Sequence, residues 1–459
     1  MRAKSSRQEL VPSAKRLVGS LRDIGYDLSS AVADLIDNSI AAGATSVHVD
    51  MQFSGEDSWI RVADNGSGMS ETRLIEAMRF GTRREYKPND LGKFGLGLKS
   101  ASLSQCKRIT VATRTAVSGP IRIAQWDLDH VQTTDRWEIR RPGVRGVRPE
   151  VVTPLRERRG TVVFWERLDR IFRYRVHDGQ RASDGFADAA REVQGHLEML
   201  FHRFLEGSAR RRRRLSIYLN SRKLVPWDPY ARNEPQTYRL PAQALRLERD
   251  GRTHTLAVQP FVLPSEAAFS SSVAHRRAAG PKKWNAQQGF YFYRNDRMIQ
   301  SGGWNRLRAP DEHVKLARIS IDFPVALDSE FELNVSKTQV RVPTSVRSEL
   351  SALASSVALV AQNAYRRPSQ GYGAMPASLE DPRMSAVNDL VEMIVAGVRG
   401  LIEEELGAEP LLRERLLSRI NEMQRQLARE MHVAIASNGH VREGPRGAET
   451  LELEATTAG

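Results

Sequence analysis

Three short stretches, in fixed order, decide how this chain is read: Asp34-Leu35-Ile36-Asp37-Asn38, Asp64-Asn65-Gly66-Ser67-Gly68-Met69 and Gly92-Lys93-Phe94-Gly95-Leu96-Gly97-Leu98-Lys99-Ser100. The first lies in a helical pattern over 31–42. Val32, Leu35, Ile36 and Ile40 are its apolar positions, and Ser29 or Ser30 serves as N-cap. Asp34 and Asn38 are four apart, so they share one face and stand one turn above each other. An amide oxygen placed there suits Mg²⁺, which takes oxygen ligands and keeps several waters. A carboxylate there suits taking a proton from a water that attacks a phosphate. Alone, Asp34, Asp37 and Asn38 suit a solvated polar face as well.

The second stretch follows a short β-type run over 59–63 that ends in Asp64. A buried carboxylate there can accept a hydrogen bond from an adenine amino group. Gly66 and Gly68 let backbone approach a flat ligand closely. The same residues also suit an ordinary tight turn. In the third stretch, Gly92, Gly95 and Gly97 free backbone N–H groups to point at phosphates. A helix starting near Leu98 or Lys99 adds its positive N-terminal end, and Lys93 and Lys99 can add charge. A P-loop is excluded, because Leu98 intrudes before Lys99 and Ser100. A dinucleotide fingerprint is excluded by the glycine spacing.

The chain has 459 residues, enough for two or three domains, and 40% hydrophobic content, enough for sizeable cores. Its one cysteine, Cys106, excludes a disulfide framework and a cysteine metal site and fits a reducing cytoplasm. No run approaches a membrane span, and Met1-Arg2-Ala3-Lys4 leads into no apolar signal core. The ten histidines show no metal-ligand spacing, so no metal is expected beyond Mg²⁺ held with a nucleotide. The net charge of +14 favours a polyanionic partner, nucleic acid first. Five consecutive arginines, Arg210 to Arg214, are the densest candidate patch; a solvated loop in an arginine-rich chain is the other reading.

Together the three stretches resemble the GHKL ATPase superfamily of gyrase B, the ninety-kilodalton heat-shock chaperone, histidine kinases and MutL. Gly160-Thr161 followed by Val162, Val163 and Phe164 looks like a fourth element of that pocket. Asp-Leu-Ile-Asp-Asn-Ser followed by Ala41-Ala42-Gly43-Ala44, and Gly97-Leu98-Lys99-Ser100-Ala101-Ser102, are similar to the MORC-type members. The resemblance implies an α+β architecture: a Bergerat-type ATP-binding α/β sandwich over 1–205, then an α/β transducer (S5-like) domain over 206–346. A helical C-terminal region over 347–435, suited to a coiled coil, and a polar tail over 436–459 follow. It implies ATP and Mg²⁺ as cofactors, with Asn38 on the metal and Asp34 as general base. Asp64, Gly66, Gly68, Met69, Gly92, Lys93, Phe94, Gly95, Leu96, Gly97, Leu98, Lys99 and Thr161 would surround the nucleotide. Phe331-Glu332-Leu333-Asn334-Val335-Ser336-Lys337-Thr338 looks like the catalytic-lysine loop, Lys337 reaching the γ-phosphate; a surface lysine is the alternative.

One departure bears on rate. The family's base is normally Glu, and Asp34 is one methylene shorter, so its carboxylate falls short by about 1.5 Å. A misplacement of that size can cost roughly a hundredfold, so slow hydrolysis is expected. Asp37, about 60° around the helix from Asp34, is a poor substitute. The resemblance further implies an ATP-dependent homodimer that clamps DNA, in the restriction and anti-phage setting of prokaryotic MORC-type proteins. A chaperone-like clamp on protein is the rival, and a histidine kinase fares worst.

Along the chain, 47–53 and 59–63 read as a hairpin, 70–79 as a helix, and 109–114, 121–127 and 160–165 as strands of one sheet. Residues 81–90 read as the start of a lid. The Arg/Pro-rich 136–159 reads as irregular, and 187–204 as a long core helix closing the first domain. From Leu215 the pattern turns strand-rich at 215–219, 253–261, 289–294 and 317–323, all given to the second domain. After a linker at 368–382, two helices are expected at 385–402 and 410–433.

Overall fold

A computed structural model of the chain describes residues 11–23, 26–81, 97–171, 178–210, 212–333 and 340–366. All of them belong to one unit, Met1–Ala374. The expected helices at 385–402 and 410–433 and all of the lid segment past Gly81 lie outside the described residues.

The elements run α1 (Ala14–Arg22), α2 (Leu28–Ala41), β1 (Ser46–Gln52), β2 (Trp59–Asp64), α3 (Glu71–Met78), α4 (Gly97–Leu103), β3 (Arg108–Arg114), β4 (Arg122–Asp127), α5 (Leu128–Thr134), α6 (Pro149–Val152), β5 (Gly160–Glu166), α7 (Gln180–Leu200) and α8 (His202–Glu206). There follow β6 (Ser216–Leu219), β7 (Arg222–Lys223), β8 (Tyr238–Arg239), β9 (Gln243–Arg249), β10 (Arg252–Val262), α9 (Ser272–Ala278), α10 (Lys283–Gln287), β11 (Gly289–Arg294), β12 (Arg297–Ser301), β13 (Ala317–Phe323) and α11 (Arg347–Arg366). The result is a mixed α/β fold with two mixed sheets.

The first sheet has the order β4-β3-β5-β2-β1-β6-β7, antiparallel except for the parallel pair β1 and β6. Its interior strand β5 shows why a continuous apolar run belongs inside a sheet: both faces are covered. Trp165 faces the main core with α2 and α7, while Phe164 faces a smaller outer core. That outer core is built by Val151, Val152 and Leu155, so part of the Arg/Pro-rich stretch read as irregular folds into α6 and the turn after it and caps the sheet.

Helix α2 is buried along most of its length. Its N-cap is Asp27, whose carboxylate accepts from the Ser30 N–H at 2.7 Å; Ser29 and Ser30, expected as caps, sit inside the first turn. Gly43 ends it in the left-handed region at φ 73°, with its N–H on the Ile40 carbonyl.

The second sheet has the order β12-β11-β13-β10-β8, with β9 on β10. β11 is wholly buried, its Phe290-Tyr291-Phe292-Tyr293 run lying between β12 and β13. The stretch 215–219, expected to open this second domain, instead pairs through β6 with β1 in the first sheet. Its partner is remote in sequence, and a buried apolar strand fits either sheet by pattern alone. The helix expected over 187–204 is α7 followed by α8, broken at Phe201. It joins the sheets: the Arg203 guanidinium lies 3.6 Å over the Tyr293 ring and donates through Nη2 to Asp322 at 2.9 Å, and His202 Nε2 is 2.9 Å from the Tyr293 hydroxyl.

Candidate nucleotide site

Asp64 closes β2 with its side chain turned inward, the residue 7% exposed. Its Oδ1 accepts from the Gly66 N–H at 2.8 Å and the Thr161 N–H at 3.2 Å, and its Oδ2 accepts from the Ser39 hydroxyl of α2 at 3.0 Å. All three donors are neutral. Burial pushes the Asp64 carboxyl above its usual range, and the three donors offset this in part. One carboxylate thus ties α2, β2 and β5 together while keeping acceptor capacity for a further donor.

Thr161 stands beside it at the start of β5. Its hydroxyl lies 3.2 Å from that of Thr113, which donates to the Gly160 carbonyl at 3.0 Å and accepts the Met69 N–H at 2.8 Å. Thr113 already spends its proton, so Thr161 donates to it and retains acceptor lone pairs. The glycines of the second motif answer to the protein itself. A Cβ at Gly66 would lie 2.8 Å from the Ala42 Cβ, and one at Gly68, with φ +65°, would lie 2.2 Å from the Arg114 carbonyl oxygen.

On α2, Asp34 is buried and its Oδ2 accepts from the Tyr26 hydroxyl at 2.9 Å. Burial, then the Asp34 charge, pushes the Tyr26 phenol up, so it stays a donor across the physiological range. Gly97 opens α4 beside this carboxylate; a Cβ there would sit 3.4 Å from Asp34 Oδ2. Asn38, one turn on, is exposed although its helix is buried. Helix periodicity therefore places Asp34 and Asn38 together, as expected, and both lie on the helix that carries Ser39 to Asp64.

Lys99 is turned elsewhere. It is 2% exposed and its Nζ donates to the Ala77 carbonyl at 2.9 Å, at the C-terminal end of α3. Burial pushes its ammonium down to about 8, with Glu76 pulling the other way. Leu98 and Met69 are partly buried against the core. Gly92, Lys93, Phe94, Gly95, Leu96 and Lys337 lie outside the described residues. Of the arginine run, Arg212 Nη1 donates to the Ile40 carbonyl at 3.4 Å and Arg214 Nε to the Leu205 carbonyl at 2.9 Å, and both residues are exposed.

Sequence reasoning missed Tyr26, Ser39 and Thr113. Ser39 follows Asn38 directly and could have been found from the helix turn it shares with the site; Tyr26 and Thr113 carry no local signal. Among the described residues no group of three or more His, Cys, Asp or Glu could hold a metal ion, and no helix is long and apolar enough to cross a membrane.

Residues 26–161 match the family described as histidine kinase-, DNA gyrase B- and HSP90-like ATPase. The DNA mismatch repair protein PMS1 of Arabidopsis thaliana is 34% identical over 122 residues, covering 26% of this chain and 13% of that protein. The DNA mismatch repair protein MutL of Aeromonas hydrophila is 39% identical over 93 residues, 19% of this chain and 15% of its own. The ATPase morc-1 of Caenorhabditis elegans is 30% identical over 87 residues, 18% and 10%. The similarity thus spans 15% or less of the length of each of these relatives. The matched family segment, 26–161, holds Asp34, Asn38, Asp64 and Thr161; over it the chain is similar to GHKL-type ATPases, and MutL- and MORC-type proteins are among its relatives.

Proposed function

We propose that the chain binds Mg²⁺-ATP between α2, the end of β2 and the start of α4, hydrolyses it slowly, and uses the cycle as an ATP-gated dimeric clamp on DNA. The observation that carries the nucleotide reading is Asp64. It is a buried carboxylate held by neutral donors alone, beside a threonine hydroxyl with spare lone pairs, and bonded through Ser39 to the helix that carries Asp34 and Asn38.

The donor set fits the metal. Asn38 is an exposed amide on a largely buried helix, and Mg²⁺ held with a nucleotide takes one or two protein oxygens, the rest coming from phosphates and water. When bound, the ion neutralises charge on the phosphates. The chain's own part is positional. Tyr26 orients the Asp34 carboxylate, which takes the proton of the attacking water. Asp64 and Thr161 fix the base, and the N-terminal end of α4 faces the phosphates. Lys337 is assigned to the γ-phosphate by its motif alone.

DNA as partner is supported by the net charge of +14 and by relatives named as DNA mismatch repair proteins. Calorimetry with Mg²⁺ and a non-hydrolysable ATP analogue tests the first step. We expect Asn38→Ala to abolish the heat of binding, and Asp34→Ala to retain it while turnover stops. Turnover unchanged in Asp34→Ala would remove that residue from its role. Sizing with and without the analogue and duplex DNA tests the clamp. A dimer that forms with the analogue and ignores DNA transfers the clamp to a protein client.

A further inference from the structure

The turn between β11 and β12, Arg294-Asn295-Asp296-Arg297, sends three charged side chains to three separate parts of the fold. Arg297 Nε lies 3.4 Å from Asp37 Oδ2 on α2, the two side chains 2% and 1% exposed. Asp296 accepts from Arg203 Nη1 of α8 at 3.2 Å and from the Arg210 N–H at 2.7 Å. Arg294 makes a fork with Asp328, Nε to Oδ1 at 2.8 Å and Nη2 to Oδ2 at 3.0 Å, again with both side chains buried. Asn295 and Asp296 are both left-handed, at φ 49° and 66°, the signature of a tight type I′ hairpin turn.

Such an arrangement is poorly explained by stability alone. Buried ion pairs recover little net free energy over apolar packing of the same volume, whereas breaking one is costly. What they do fix is geometry. Asp37 sits on the same rigid helix as Asp34 and Asn38, about 60° and about 100° around the axis from them. Water has no access to the Asp37–Arg297 pair, so α2 cannot turn about its axis without dragging Arg297 along or leaving two buried charges unmatched. The Phe201 ring under the Arg297 guanidinium, 5.9 Å away, backs the turn from the break between α7 and α8.

We propose that Arg297, through Asp37, is a positioning residue for the nucleotide helix. The Arg294–Arg297 turn sets the rotation at which α2 presents Asp34 and Asn38, and hands any change in that rotation on to Arg203 and Asp328. The proposal rests on the nucleotide reading given above.

The test uses the full chain and compares wild type, Asp37→Asn, Arg297→Lys and the double variant Asp37→Asn/Arg297→Gln. Three quantities are read: analogue affinity by calorimetry, kcat and KM of ATP turnover, and amide hydrogen exchange over 289–301 with and without analogue. We expect analogue binding to slow exchange over 289–301 in wild type. In Asp37→Asn that protection is lost and kcat falls about tenfold, while affinity stays within about threefold. Arg297→Lys, which keeps the charge, retains the protection. If Asp37→Asn does not fold, the double variant leaves no unmatched charge and gives the same reading. A folded variant with wild-type kcat and wild-type protection would overturn the proposal, as would wild type that binds analogue with no change over 289–301. Wild type that gives no heat with the analogue would overturn the nucleotide reading, and this proposal with it.

Discussion

Two buried aspartates, twenty-seven residues apart in sequence, are held in opposite ways. Asp64 is surrounded by neutral donors, its carboxyl is pushed up by burial, and it keeps room for one donor more. Asp37 is matched to a cation from the second sheet. A carboxylate fixed by neutral dipoles stays responsive to a ligand, because its charge is not spent. A carboxylate matched to a guanidinium has spent its charge on holding two elements in register. On the proposed nucleotide reading, α2 therefore turns Asp34 and Asn38 toward the ligand and Asp37 toward its anchor.

Neutralising each carboxylate in turn gives the largest expected effect. Asp37→Asn leaves Arg297 buried beside a neutral group, and unfolding in urea should show a loss of about 3–5 kcal/mol, with analogue affinity within about threefold. Asp64→Asn turns an amide NH₂ toward neighbours that are themselves donors. We expect calorimetry to show at least a hundredfold loss of affinity, with a stability loss of only about 1–3 kcal/mol. The contrast breaks if Asp37→Asn abolishes binding while Asp64→Asn costs stability alone.

Acid sharpens the same contrast, because protons act in opposite senses at the two places. His202 and His196 lie on the helices that join the sheets. Burial pushes the His202 imidazole well below 6.5, helped by Arg203, and pushes His196 down to about 4, helped by Arg297. The unfolded chain binds these protons near 6.5 and the folded chain does not. Their share of stability is therefore whole above 6.5 and is lost as pH falls from there toward about 4. Asp64, with its carboxyl pushed up, works the other way: protonation relieves the cost of its buried charge. We expect stability in urea to fall between about pH 7 and about pH 5, and His202→Gln to flatten that fall. An unchanged slope in His202→Gln would move the acid-sensitive point away from the junction.

What could be read from the sequence divides along the same line. The strands β1 to β5 and helix α2 carry strong local patterns, so their apolar spacing finds them. Asp34 and Asn38 share a face because helix geometry alone requires it. Long-range pairings left no such trace. Leu215 to Leu219 has the same pattern whether it joins β1 or the second sheet. Nothing near Asp37 announces Arg297, and so a residue dismissed as a poor base could not be seen as an anchor. The cap was ambiguous because Asp27, Ser29 and Ser30 are all good cap residues, and only the backbone shows which side chain reaches the first turn. The folding of part of 136–159 was within reach: Val151, Val152 and Leu155 have the spacing of one helical face, obscured by the arginines around them.

Lys99 decides a point about the proposed phosphate contacts. It was expected at the phosphates, and its amine is found on the Ala77 carbonyl, where the negative end of α3 suits a cation. Burial holds its ammonium at about 8, so between that pH and 10.5 the unfolded chain binds the proton and the folded chain does not. Stability should therefore rise with pH across that window, by about 2–3 kcal/mol, and Lys99→Met should remove the rise. Adding the ATP analogue separates the two roles. If phosphates recruit Lys99, its charge is restored in the folded state and the rise disappears in wild type. If Lys99 stays on α3, the rise persists with analogue bound, and the phosphates are held by backbone N–H groups and the end of α4 without it.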